Sequence, residues 1–182
     1  MIQTNWLAHT QIDTCGFSDT IDKIVENKEP IDLFPKSTRG FKSNQYNFKG
    51  DDFIILDDII NSIKNQLHDI DYLKGKKIEP SLGWTVYGEH HGYHEVHNHL
   101  NRGLPYDIST VLYLKTPSIT GYTNKGQFYY FLLDNDEIKY HELEPVEGML
   151  VIMPTRTLHG SYPQPRGLRH TLNFDFKVSD EN

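Results

Sequence analysis

Two segments in the N-terminal half of the chain repeat their apolar residues at helical spacing. Ile21, Ile24 and Val25 share one helical face behind Ser18, whose hydroxyl suits it to cap a helix N-terminus. Between residues 51 and 69, Ile55, Ile59, Ile63 and Leu67 recur every four positions behind Asp51 or Asp52, which predicts a second helix. From Trp84 onward the texture changes to short runs: GWTVYG, DISTVLYL, GQFYYFLL, GMLVIMP and RHTLNFDFKV. They are rich in β-branched and aromatic residues and are divided by Gly, Pro, Asn and Asp turns. Helices followed by many short strands predict an α+β, mainly β domain, a two-sheet sandwich or jelly roll with N-terminal supporting helices. The expected layout is a single domain over 1–182, with helical support in 1–80 and a jelly-roll core in 81–178. KGKKIEP, residues 74–80, is the expected connection between the two.

Composition narrows the function classes. A chain of 182 residues, 37% hydrophobic and 12% aromatic, is long enough for one real core and too short to argue for two. The 18 Lys and Arg are outnumbered by 25 Asp and Glu, a net charge of -7, and no basic run tracks a phosphate backbone, so no nucleic-acid partner is expected. No apolar stretch reaches the roughly 20 residues of a membrane span, and MIQTNWLAHTQID carries no signal pattern. The expectation is no membrane partner and a cytoplasmic location, host cytoplasm if the chain is viral. Cys15 is the only cysteine, which excludes an internal disulfide and a thiolate zinc cage.

The candidate chemistry is histidine. EHHGYHEVHNHLNRG, residues 89–103, contains His90, His91, His94, His97 and His99, five of the ten histidines in the chain. On a strand, residues i and i+2 project to one face with Cα atoms roughly 6.5 to 7 Å apart, so His97 and His99 can converge on one ion. His90, His91 and His94 read equally well as solvated loop residues. A third ligand has to come from elsewhere. In GMLVIMPTRTLHGSYPQPRGLRHTLNFDF, Gly148 turns the chain into a buried strand, Pro154 ends it, and His159 is expected on the loop that follows. Ten residues further on, Arg169 and Thr171 share a strand face with Asn173 and Asp175, while Leu172, Phe174, Phe176 and Val178 take the other. A guanidinium binds a carboxylate bidentately and a neighbouring hydroxyl adds a hydrogen bond, so this pair suits a small organic acid.

In order and spacing, Tyr87, His97-Asn98-His99, His159 and Arg169-His170-Thr171 resemble the Fe(II)- and 2-oxoglutarate-dependent dioxygenases, in particular the prolyl-hydroxylase-like branch with its phage and bacterial members. The resemblance covers residues 84–176, and STRGFKSNQYN, residues 37–47, is faintly similar to an upstream segment of that branch. It implies a double-stranded β-helix, ferrous iron held by His97, His99 and His159, and 2-oxoglutarate as cosubstrate with dioxygen. Arg169 and Thr171 would hold the distal carboxylate of 2-oxoglutarate, and Tyr87 or Tyr113 would donate to it; either tyrosine reads equally as a barrel-wall aromatic. Decarboxylation to succinate would accompany hydroxylation of a second substrate. By the same analogy that substrate is a peptidyl residue, proline first, or an amino-acid-like small molecule, with LNRGLPYD (100–107) and the acidic LLDNDEIKYHELEP (132–145) flanking the mouth.

The chain departs from that family at one position, because His99 stands where Asp or Glu usually ligates. Either His99 binds and the triad is all imidazole, or water fills the place, or Asp107 swings in; imidazole is an acceptable iron ligand, and same-face geometry favours the first. On that reading, His99→Asp restores the common ligand set and is expected to keep or improve iron binding. The rival class is a cupin-like metal-binding isomerase or non-oxidative binding module built on the same histidines, which would have no use for a carboxylate clamp at Arg169 and Thr171.

Overall fold

A computed structural model describes residues 6–31, 43–100, 107–117 and 126–180. Residues 37–42 of the upstream segment and 101–106 of the LNRGLPYD loop lie outside the described residues. In chain order the elements are β1 (Ala8–Gln11), α1 (Phe17–Val25), β2 (Ser43–Asn47), α2 (Asp52–Ile55), α3 (Asp57–His68), β3 (Lys76–Gly88) and β4 (His94–His97). They continue with β5 (Ile108–Lys115), β6 (Phe128–Asp134), β7 (Glu137–Leu143), β8 (Met149–Pro154), β9 (Leu158–Ser161) and β10 (Arg169–Asp180). Two antiparallel sheets result, a six-stranded one in the order β1-β8-β5-β10-β3-β2 and a four-stranded one in the order β4-β9-β6-β7. This is the expected α+β, mainly β sandwich of the jelly-roll type. None of the described helices is long and apolar enough to cross a membrane.

The larger sheet is buried on both faces, which is why its central strands read as near-continuous apolar runs. Leu112, Leu150, Ile152, Leu172, Phe174 and Phe176 point outward and pack under Ile59, Ile60, Ile63 and Leu67 of α3. Val111, Tyr113, Met149, Val151 and Met153 point inward and meet Phe128 of the smaller sheet. Strand β10 divides by parity as its sequence predicts. Its outward face is apolar from Leu172 to Val178, while Arg169, Thr171, Asn173 and Asp175 are buried on the inward face.

Several local expectations are corrected. The N-terminal eighty residues do more than buttress, since β1 and β2 form both edges of the larger sheet and KGKKIEP runs into the thirteen-residue β3. The acidic stretch at 132–145 forms most of a hairpin: Asp134 pairs with Glu137 across Asn135 and Asp136, both with positive φ, as a two-residue turn requires. Ser18 lies inside α1, whose N-cap is Gly16 at φ 77. The second helix is broken at Leu56, where φ −89 and ψ 4 leave the helical region and separate α2 from α3. The break re-aims the apolar face, so that Leu56 is fully buried and Ile55 is 57% exposed.

That rotation is testable. Leu56→Ala is expected to lower stability by about 2 to 5 kcal/mol through the cavity it leaves, whereas Ile55→Ala stays within about 0.5 kcal/mol. Urea unfolding midpoints of the two variants check this; the uninterrupted four-residue repeat predicts the larger loss at Ile55.

Candidate metal centre and anion cradle

The site is assembled between the sheets from both ends of the β-rich region. Its first wall is a strand with an extra residue. Across β4 and β9, His94 pairs with Ser161 and His97 pairs with His159, so three residues advance on one strand for two on the other. On a regular strand, residues three apart face opposite sides; this bulge turns His94 and His97 into the same cavity. Gly160 sits opposite the bulge, and a Cβ there would lie 2.4 Å from the Tyr129 hydroxyl and 2.8 Å from the His94 carbonyl. Only glycine lets the two strands approach so closely. His159 therefore belongs to strand β9 and not to a loop.

His99 is placed by a different device from the one expected. Strand β4 ends at His97, and His99 follows in a bend whose N–H donates to the Thr155 carbonyl at 2.9 Å. Its ring still lies nearly parallel to that of His97, with centroids 5.4 Å apart and 12° between planes, and it packs against Trp84. One ring nitrogen from each of His97, His99 and His159 falls within 4.8 Å of the others. Each Nδ1 is engaged away from that meeting point: His97 donates to the Glu95 carbonyl at 2.8 Å and His159 to the Thr157 carbonyl at 2.9 Å. The Nδ1 of His99 faces the Asp175 carboxylate at 2.7 Å. Because a carbonyl only accepts, these bonds fix the tautomers of His97 and His159 and present Nε2 as the ligating nitrogen.

The electrostatics suit a cation. Burial first, then the neighbouring His97 and His99, holds His159 well below the ordinary imidazole value, so it is neutral at physiological pH. His94 is pushed down to about 3 by burial and then by Arg169, His97 and His99. His99 Nε2 is buried with no hydrogen-bond partner among the described residues, which fits it to ligate an ion at the meeting point. Three imidazoles with open positions suit iron, nickel or zinc, so the residues present fit a transition-metal ion.

The other end of the cavity suits an anion. Arg169 is 3% exposed, and its Nη2 makes one long contact of 3.4 Å with the Gly92 carbonyl. Its Nη1 is buried with no hydrogen-bond partner among the described residues. Thr171 and Tyr113 line the same space, together with Trp84, Val86, Phe128 and Asn173. Burial lifts the Tyr113 phenol to about 12, keeping it a proton donor, with Arg169 opposing the shift.

Two expected candidates fall elsewhere. Tyr87 has the opposite strand parity to Trp84 and Val86, stacks on His170 at 4.1 Å and donates to Asp22 of α1 at 2.5 Å, so it faces away from the cavity. Asp107 accepts from the Val178 N–H at 2.9 Å and is not in the histidine cluster. His90 and His91 pack on each other in a turn outside the cavity. Conversely, the structure adds His94, Asp175 and Ser109. The parity of β10 already placed Asp175 on the inward face, and an acid within LNFDFKV was the available signal for it.

No family model matches this sequence, and no curated protein sequence does. Solved structures do. A prolyl-4-hydroxylase from Pseudomonas putida is 16% identical with a TM-score of 0.66, covering 96% of this chain and 94% of its own. A prolyl hydroxylase from Trichoplax adhaerens, in complex with a peptide fragment of the hypoxia inducible factor oxygen degradation domain, is 12% identical with a TM-score of 0.67, at 96% and 84% coverage. HygX from Streptomyces hygroscopicus, with nickel, 2-oxoglutarate and hygromycin B bound, is 12% identical with a TM-score of 0.65, at 96% and 83% coverage. The chain has the double-stranded β-helix fold of the 2-oxoglutarate and Fe(II) oxygenases.

The imidazoles of His94 and His159 set a pH dependence. In the unfolded chain His94 and His159 titrate near 6.5, while in the folded protein they resist protonation until far lower pH. The unfolded state therefore binds more protons below about pH 6.5, and the stability of metal-free protein falls as pH drops from there. Urea midpoints measured from about pH 7.5 to about pH 5 are expected to decline in the parent, and to decline less steeply in a His94→Asn, His159→Asn variant. An identical slope in both would contradict the assignment.

Proposed function

We propose that this protein is a dioxygenase dependent on ferrous iron and 2-oxoglutarate, and that it hydroxylates a peptidyl residue or an amino-acid-like small molecule. The observation that carries this reading is Arg169: a buried guanidinium with an unpartnered Nη1, in the same cavity as three converging imidazoles. A buried charge of this kind is costly unless an anion meets it. The pairing of a cation site with an anion cradle calls for a small ligand that is a metal chelator at one end and a carboxylate at the other. 2-Oxoglutarate has that form. A metal-binding isomerase on the same fold leaves Arg169 unexplained.

In this reading His97, His99 and His159 hold the metal through Nε2. The chemistry that iron supplies when bound is the coupling of 2-oxoglutarate decarboxylation by dioxygen to hydroxylation of the second substrate, with succinate and carbon dioxide as co-products. Arg169 binds the distal carboxylate through its planar fork, and the Thr171 and Tyr113 hydroxyls donate to the same group. Val86, Val111, Trp84 and Phe128 line the cavity with apolar surface, exclude water, and so strengthen each of these polar contacts. The peptide and the hygromycin B named with the structural neighbours support a peptide or a small-molecule substrate.

Succinate production at varied 2-oxoglutarate concentration, with metal content measured in parallel, tests the reading. Arg169→Ala leaves the bound carboxylate unpaired, which costs about 2 to 5 kcal/mol, a rise in half-saturation of roughly 30- to 5000-fold. Arg169→Lys recovers part of that loss, and metal content stays at the parental level in both. His159→Ala abolishes stoichiometric metal binding. Tyr113→Phe raises half-saturation by about tenfold or more, and Tyr87→Phe leaves it unchanged. An unaltered half-saturation in Arg169→Ala would remove 2-oxoglutarate from the proposal.

A further inference from the structure

Asp175 is a fully buried carboxylate in the middle of β10. Its Oδ1 lies 2.7 Å from His99 Nδ1 and accepts a hydrogen bond from Ser109 Oγ at 2.7 Å, while Ser109 Oγ is itself 2.9 Å from that same Nδ1. Asp175 Oδ2 has no hydrogen-bond partner among the described residues. An imidazole and a hydroxyl satisfy one oxygen but do not neutralise a buried carboxylate. At the far end of the same hydrogen-bonded pair, His99 Nε2 is likewise buried and unpartnered. A single event, arrival of a cation at the meeting point of the three imidazoles, completes Nε2 and supplies the missing positive charge to Asp175 through the ring.

We propose that Asp175 is a positioning residue that holds His99 with Nε2 aimed at the metal and delivers, across that imidazole, the negative charge a directly ligating carboxylate would bring. The charge absent from an all-histidine triad is thus present one imidazole further out, and Ser109 clamps the pair in register. This inference rests on the metal site of the preceding reading and not on its oxygenase chemistry. It also reverses the expectation drawn from sequence for His99→Asp. With Asp175 in place, that substitution confronts a second carboxylate with the first in a buried space, and like charges there oppose each other.

The consequence is a change of sign between two backgrounds. Asp175→Asn keeps the shape of the side chain and removes its charge. In the parent it is expected to weaken metal binding by roughly 10- to 100-fold, the usual effect of losing the partner of a ligating histidine. In the His99→Asp background, the same Asp175→Asn substitution is expected to tighten metal binding, because it removes the like-charge pair. A residue that merely supports the fold weakens the site in both backgrounds.

The experiment is anaerobic titration of the full chain with Mn(II), free ion being followed by electron paramagnetic resonance, in the four combinations of the two substitutions. Circular dichroism and melting of the metal-free proteins run alongside. Affinity falling with Asp175→Asn in the parent and rising with it in the His99→Asp background supports the proposal. Parental affinity in Asp175→Asn, or an equal loss in both backgrounds, overturns it. If Asp175→Asn alone does not fold, the double variant decides: tighter binding than His99→Asp supports the role, and equal or weaker binding ends it. Since neither 2-oxoglutarate nor dioxygen is present, absence of succinate production would sink the oxygenase reading and leave this result standing. Unchanged metal affinity with an Arg169-dependent cosubstrate response would do the opposite.

Discussion

The molecule depends on the two faces of one strand. β10 is hydrogen-bonded to β3 on one side and β5 on the other, so every second side chain is committed to the helix-covered core or to the space between the sheets. Leu172, Phe174 and Phe176 anchor α3 and α2 on the outside through a continuous apolar cluster. That anchoring sets the register from which Arg169, Thr171, Asn173 and Asp175 project inward, and a slip of one residue would exchange the two rows. The site is rigid because its supporting strand cannot move without disrupting the core.

The inward row carries a cost that the core must offset. Arg169 Nη1, Asp175 Oδ2 and His99 Nε2 are all buried and incompletely bonded. Such groups are destabilising in a protein that has no further use for them. Arg169 and His99 line one cavity and Asp175 stands behind the His99 ring, so the three gather at the candidate site. In the proposed reading, a cation at the imidazoles and an anion at Arg169 satisfy these groups.

The second constraint is local. His94 shares the cavity with His97 because β4 carries an extra residue opposite Gly160, and His99 reaches His97 and His159 because the backbone after β4 is tied to Thr155. The bulge admits His94 alongside His97, and the tie brings His99 back over the same point after its strand has ended.

Much of this was written in the chain. The alternation in RHTLNFDFKV placed Arg169 and Thr171 together, the runs from Trp84 onward specified short strands, and the spacing of His97, His99, His159 and Arg169 carried the site. These features are local, set by the two-residue period of a strand or by residue type, and need no knowledge of partners. What the tertiary structure decided is non-local. Leu56 in place of Ile55 faces the core because α2 and α3 break between them, and an apolar repeat does not report a break. Tyr87 was excluded from the cavity, and Tyr113 admitted, by which face of the sheet each strand turns inward. His94 entered through a bulge that exists only against β9, and Asp175 found His99 seventy-six residues away. A side chain's residue type limits what it can do; the pairing of strands distant in sequence determines what it faces.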